Sequence, residues 1–240
     1  MIVKNNLLNF KDAYIYQDTE YFKMSMDSMI LANFVTINLR DKMILDIATG
    51  NAPIPMLLTY RTKANIYGVE IQEPVYNLGK ISVKENKMDK QITLINDDAK
   101  NLVNRFESDT FDIITCNPPY FKTNNKKFEN NNEVKSLARH EKSLMLEDIF
   151  VIARKLLKNN GRLSMVHRTE RFMEIIEMAK KYNFEPKRVR FVYPNSKKVS
   201  DLVLIECVLN GKSSLKMEQP LFVYDDKGEY TEEVRMMFGE

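Results

Sequence analysis

Apolar residues recur at helical spacing through 27–39, DSMILANFVTINL, and with Asp27 placed as an N-cap the run predicts a helix. The period then changes. An apolar strand over 43–48 stops at Thr49-Gly50-Asn51, and Pro53 or Pro55 can open the next helix in its first turn. The same alternation predicts strands at 65–71, 92–96, 111–117 and 161–167. Between them it predicts helices at 74–85, just after Asp98, at 144–158 and at 170–182, and further strands near 188–193 and 201–209 follow.

Strands separated by helices imply right-handed crossovers and a mostly parallel sheet covered on both faces, an α/β fold. At 240 residues the chain fits a single domain. We divide it into an N-terminal cap (1–40), an α/β core (41–209) and a C-terminal appendage (210–240). The appendage carries an Asp-Lys-Gly turn and no obvious core.

Open α/β sheets bind ligands beyond the carboxyl ends of their strands. Four consecutive strands deliver polar residues there: Asp46 with Thr49, Gly50 and Asn51, then Glu70, then Asp97-Asp98, then Asn117-Pro118-Pro119-Tyr120. Gly50 lets backbone approach a ligand, and Glu70 can accept both hydroxyls of a ribose. One of the paired aspartates can take an adenine amino group, or simply cap the helix that follows. Ala52 and Pro53 stand where a G-x-G-x-x-G loop would place glycines, so a nucleoside fits better than a dinucleotide pyrophosphate.

Pro118 and Pro119 cannot donate to a ladder, and Pro118 biases Asn117 away from helix. The stiff turn aims the Asn117 side chain and the Pro118 carbonyl out of the sheet as two acceptors, enough to hold both hydrogens of a planar NH2 group. As that nitrogen becomes tetrahedral its lone pair is freed to attack a methyl group, and acceptors that strengthen in the transition state promote this step. Tyr120 adds a face on which a flipped-out base can stack. Cys116 points to the opposite face of the strand, which argues against a covalent cysteine mechanism.

Composition adds little until it is mapped. Hydrophobic residues make up 44% and charged residues 29%, as in an ordinary globular protein. No stretch is long enough to span a bilayer and no signal peptide opens the chain, so a cytoplasmic location is expected. Both cysteines, Cys116 and Cys207, sit in apolar β-like runs and read as small core residues. Charge is uneven: 1–120 holds 13 Lys/Arg against 15 Asp/Glu, whereas 121–240 holds 23 against 18. The stretch 180–198 has seven basic residues and one acid. Such a stripe suits a phosphate backbone, and equally a solvated face. Read as an RNA contact, it supplies Lys187, Arg188, Arg190, Lys197 and Lys198, with Lys122, Lys126 and Lys127 after the proline turn.

The segments ILDIATGNAPIP, GVEIQ, NDDAK, CNPPYF, ARHE, GRLSMVHR, PKRVRFVYP and GEYTEEV together resemble the bacterial tRNA (adenine-N6)-methyltransferases that modify adenosine 37 beside the anticodon of valine tRNA. The likeness runs from MSMDSMILANFV to the tail. NPPY alone is shared with DNA adenine and protein glutamine methyltransferases.

The resemblance implies a Rossmann-like class I methyltransferase with a seven-stranded, mostly parallel sheet and an antiparallel last strand. It implies S-adenosylmethionine (SAM) as cofactor, with Asp46, Thr49, Gly50 and Asn51 against its methionine part, Glu70 on the ribose and Asp98 on the adenine. Asn117, Pro118, Pro119 and Tyr120 would form the acceptor site, in direct displacement without a metal. Arg139 and His140 match ARHE and are read as RNA contacts; His167 and Arg168 end a strand at the same edge, to touch RNA or cap a helix. The implied partner is tRNA, with no membrane and no obligate protein partner. Ala48, Ala52 and Pro53 depart from the glycine-rich loop usual in such enzymes. Adenine in DNA, a protein glutamine, or a non-catalytic RNA-binding role on the same fold stay open as alternatives.

Overall fold

The computed structural model describes residues 1–7, 13–18, 25–118 and 144–240. A hairpin of β1 (Ile2–Asn6) and β2 (Tyr14–Asp18) precedes α1 (Met26–Phe34). Then come β3 (Met43–Ile47), α2 (Pro53–Thr59), β4 (Asn65–Glu70), α3 (Glu73–Glu85), β5 (Ile92–Asn96), α4 (Leu102–Arg105) and β6 (Phe111–Cys116). After residue 143 the chain continues as α5 (Leu146–Leu156), β7 (Leu157–Arg168), α6 (Phe172–Lys181), β8 (Phe184–Tyr193) and β9 (Leu202–Leu209). Short strands β10 (Lys216–Met217) and β11 (Leu221–Phe222) and helix α7 (Glu232–Met237) follow.

The central strands lie in the order β5-β4-β3-β6-β7-β9-β8. All neighbouring pairs are parallel except those of β9, which runs antiparallel to both β7 and β8. This is the expected sheet with its last strand reversed. The tail adds to it, because β10 and β11 pair in parallel with β8.

Side chains alternate across the sheet, so each strand feeds two cores. Ile44, Ile66, Ile113 and Val166 join one cluster with α1, α2 and the tail. Leu45, Val69, Ile114 and Met165 join another with α5 and α6. The tail, read from sequence as lacking an obvious core, places Leu221, Val223, Val234 and Phe238 in the first cluster.

Helix α1 stops at Phe34, well short of the 39 that periodicity suggests, because its carbonyls are captured from outside. Arg61 donates to Ala32 O and Val35 O, and Arg188 to Phe34 O. Thr36 gives both its N–H and its hydroxyl to Glu206. At the other end Ser25, not Asp27, is the N-cap, in extended conformation; Asp27 falls in the first turn. Strand β8 begins four residues before the expected 188, carrying Pro186 through a register shift between Pro186 and Arg188 that spares it a ladder donor.

On the α1 face, register partners form a lateral polar row: Asp46 opposite Thr115, Thr115 opposite Ser164, Ser164 opposite Glu206, and Glu206 opposite Arg188.

Candidate functional site

The polar residues expected at the strand ends do converge, and parity explains which. Asp46, Glu70, Thr115 and Asn117 sit an even number of residues from Ile44, Ile66 and Ile113, so they share the sheet face beneath α1 and α2. Asp46 is fully buried. Its Oδ1 accepts from Thr115 Oγ1 at 2.5 Å, while Oδ2 has no hydrogen-bond partner. Burial pushes its carboxyl up to about 7, against the pull of Thr115 and Thr49; the Glu70 charge adds to the rise.

The loop after β3 takes left-handed backbone at every second residue: Ala48 at φ 55°, Gly50 at 60° and Ala52 at 70°. The alanines that depart from the glycine-rich pattern thus adopt glycine's conformation, at about 1–2 kcal/mol each. The path holds because Thr49 N donates to Val69 O at 2.9 Å and Gly50 N to Glu70 Oε2 at 3.0 Å. Asn51 Nδ2 donates to Tyr16 O at 2.8 Å, tying the loop to the N-terminal hairpin. Gly68, the neighbour of Asp46 on β4, leaves room for Thr49: an added Cβ would lie 2.9 Å from Thr49 Oγ1 and 2.8 Å from Leu94 Cδ2.

Glu70 is buried, and burial holds its carboxyl above the usual range although Gln72 N–H and Gly50 N–H donate to it. Asn96, which sequence reasoning passed over, braces this turn by donating from Nδ2 to Glu70 O and Ile71 O. Asp98 Oδ1 accepts from Lys100 N at 2.9 Å and caps the turn of 3-10 helix at 99–101; Asp97 Oδ1 accepts from Asp98 N and Asn101 Nδ2.

Asn117 is half-buried directly after β6, and its Nδ2 donates to Ser28 Oγ of α1 at 3.1 Å. Pro118 is buried beside it; Pro119, Tyr120, Lys122, Lys126, Lys127, Arg139 and His140 lie outside the described residues. Thr115 and Ser28 were missed from sequence. A hydroxyl inside the apolar run FDIITC was a signal for Thr115; no local pattern marks Ser28. Cys116 is fully buried, which drives its thiol well above its ordinary value and suits a core residue.

His167 is buried and neutral: burial and the nearby Arg171 push it down to about 4, and its Nδ1 accepts from Arg168 N at 2.8 Å. Arg168 is exposed at the end of β7, where its charge acts on Asp27 of α1.

The basic stripe divides. Arg188 lies over the Phe34 ring at 4.3 Å and pairs with Glu218 and Glu206; Arg190 makes two bonds of 2.7 Å to the Glu233 carboxylate. Lys187 donates to Lys212 O and Ser214 Oγ. These three fasten the tail. Lys197 and Lys198 are exposed in the loop from β8 to β9, Lys197 in an exposed ion pair of 3.4 Å with Asp226 of the tail; the loop is pinned beside the end of β7, where Thr169 N donates to Asp201 O and the hydroxyls of Thr169 and Ser200 lie 3.0 Å apart.

A family model described as Eco57I restriction-modification methylase matches residues 56–199. The chain belongs to that family. This Eco57I-family methylase is 26% identical over 231 residues to a Flavobacterium psychrophilum protein named tRNA1(Val) (adenine(37)-N6)-methyltransferase, covering 95% of each chain. A Haemophilus influenzae protein of the same name is 27% identical, over 93% of this chain and 92% of the relative. Among solved structures, a predicted O-methyltransferase from Agrobacterium tumefaciens superposes with a TM-score of 0.72 at 18% identity, covering 89% of this chain and 95% of that one. The fold is that of a class I methyltransferase.

SAM is the methyl donor of such a methylase, and the residues present fit it. Asp46 Oδ2 and Thr49 Oγ1 are buried without hydrogen-bond partners, and a Cβ at Gly50, the residue after Thr49, would meet only open space. A buried carboxylate there matches an ammonium group, and Glu70 offers its remaining lone pairs to hydroxyls. Among the described residues no helix is long and apolar enough to cross a membrane.

Proposed function

We propose that the protein methylates the exocyclic N6 amine of an adenosine in tRNA, adenosine 37 beside the anticodon of valine tRNA. The observation that carries this is Asn117. It stands directly after β6, two residues beyond the Thr115 that grips Asp46, so the amine-holding amide and the cofactor carboxylate share one sheet face. The relatives' names supply the tRNA and the nucleotide.

In this reading Asp46, Thr49 and Asn51 seat the amino-acid end of SAM and Glu70 seats its ribose. Asp98 lies toward the adenine, its Oδ1 already bonded to Lys100 N. When bound, SAM supplies an electrophilic methyl group on a sulfonium. Asn117 Oδ1 and the Pro118 carbonyl accept the two amine hydrogens, so that the nitrogen lone pair turns from the ring toward the methyl. Acceptors fixed before the reaction need no reorganisation during it. By sequence alone, Pro119 and Tyr120 belong to the same acceptor motif, with Tyr120 read as the stacking face for the base.

Lys197, Lys198 and Arg168 stand at the same edge and suit phosphate contacts. Lys187 lies six residues before the end of β8, about 20 Å back along the strand. Lys122, Lys126, Lys127, Arg139 and His140 join the RNA surface on the strength of sequence alone.

A second reading, adenine in DNA, draws on the family model's description. Mass spectrometry of nucleosides from tRNA and from DNA, each incubated with enzyme and SAM, separates the two. N6-methyladenosine in tRNA is expected; methylation confined to DNA, or to neither, rejects the proposal.

A further inference from the structure

We propose that Asn96 is a positioning residue for the cofactor's ribose, fixing the Glu70 carboxylate in the orientation that receives two hydroxyls. The inference rests on the reading of Glu70 as the ribose site. Asn96 is the last residue of β5 and the register partner of Glu70, the last residue of β4. Its Nδ2 donates to Glu70 O at 2.8 Å and to Ile71 O at 3.2 Å. Backbone carbonyls accept and never donate, so the nitrogen end of the amide must face them, and the side chain has one orientation.

The two carbonyls belong to the peptide units that carry the N–H groups of Ile71 and Gln72. Each unit is planar and trans, so its C=O and N–H point in opposite directions, and holding the oxygen aims the hydrogen. Those hydrogens act on the Glu70 carboxylate. Gln72 N donates to Glu70 Oε1 at 2.9 Å, and the Ile71 N–H also favours the charged form. From the loop after β3, Gly50 N donates to Oε2 at 3.0 Å. Each carboxylate oxygen therefore has one bond to backbone and a lone pair left over, the arrangement that two neighbouring ribose hydroxyls require. Asp97 N shares Glu70 O at 3.2 Å, so the peptide between Ile71 and Gln72 is where Asn96 matters most.

Calorimetric titration of the full chain tests this, with S-adenosylhomocysteine (SAH) and with 2′,3′-dideoxy-SAH, which lacks both ribose hydroxyls. Asn96→Ala and Asn96→Leu both remove the donor, and leucine keeps the volume. Asn96 is exposed, so neither variant disturbs the core. In each, SAH should bind about tenfold more weakly than to wild type, while the dideoxy ligand, which has no hydroxyls for Glu70 to receive, should change by less than about threefold. A general loss of structure would weaken both ligands alike. SAH affinity within about twofold of wild type in either variant, or equal weakening of the two ligands, would overturn the positioning role and leave the methyl-transfer reading intact. A wild-type protein that binds SAH and the dideoxy ligand equally well would overturn the ribose reading of Glu70 and this inference together.

Discussion

Thr115 Oγ1 lies 2.5 Å from Asp46 Oδ1, and the two residues are register partners on adjacent strands. Of the two oxygens of this carboxylate Oδ2 has no hydrogen-bond partner, so in the proposed reading the amine of SAM would meet a side chain already fixed in place. Thr115→Val keeps the shape and removes the donor, leaving both oxygens of a buried carboxylate unserved. Its loss should weaken SAM binding by roughly tenfold, about 1.4 kcal/mol, near the low end for a hydrogen bond to a charged group, as read by calorimetric titration. Unchanged affinity would mean that the bond serves packing alone.

The burial of Asp46 has a pH signature. Its carboxyl rises from 3.8 to about 7 on folding, so the folded state holds a proton that the unfolded state releases. The stabilisation from this group is fully present below the unfolded value and is lost as pH rises through the folded one. Melting of the ligand-free protein should therefore show a stability term that declines toward pH 7 and is absent in Asp46→Asn. SAM affinity should move the other way, rising with pH as the carboxylate forms. His167 has the opposite sign: lowered from 6.5 to about 4, it withdraws stability as pH falls through that window. A His167→Gln variant that folds should lose this acid-side decline in thermal melts.

Ala48 and Ala52 occupy left-handed backbone that glycine takes without strain. Ala48 is half-buried, so Ala48→Gly relieves strain while giving up little packing. We expect a gain of about 1 kcal/mol, roughly 2–4 °C in Tm for a chain of this size. Ala52 is fully buried, and removing its methyl offsets most of the gain there. A fall in Tm for Ala48→Gly would contradict the strain argument.

The two halves of the basic stripe should separate in experiment. Arg188→Ala leaves Glu206, only 2% exposed, without its cation, and should destabilise the protein by about 3 kcal/mol in denaturant unfolding. Lys197→Glu with Lys198→Glu should change stability little. That pair should reduce tRNA affinity and lower its salt slope by roughly 0.7–0.9 for each phosphate no longer neutralised. Lys187→Glu should leave the slope unchanged.

The alternation of strands and helices and the strand-end positions of Asp46, Glu70, Asp98 and Asn117 were legible because strand period and strand ends are local properties of the chain. The grip of Arg61 and Arg188 on the end of α1 was not. It joins residues 26 and 154 positions apart, and no window of sequence holds both. For the same reason the stripe 180–198 read as one surface, although strand geometry sends Arg188 and Arg190 to the tail and leaves Lys197 and Lys198 beyond the strand's end. Ser28 looked like one more polar residue on an apolar helix; only the arrival of β6 beneath it brings its hydroxyl to Asn117.

Strand β8 acquires its outer neighbours from residues 216–222, and Arg190 its carboxylate from Glu233. A nascent chain still held by the ribosome at residue 215 has every other strand of the sheet but an open edge there, with Arg188 lacking Glu218. Folding of the domain is therefore expected to close late in synthesis. A chain cut short before the tail would display the bare strand that invites aggregation and degradation.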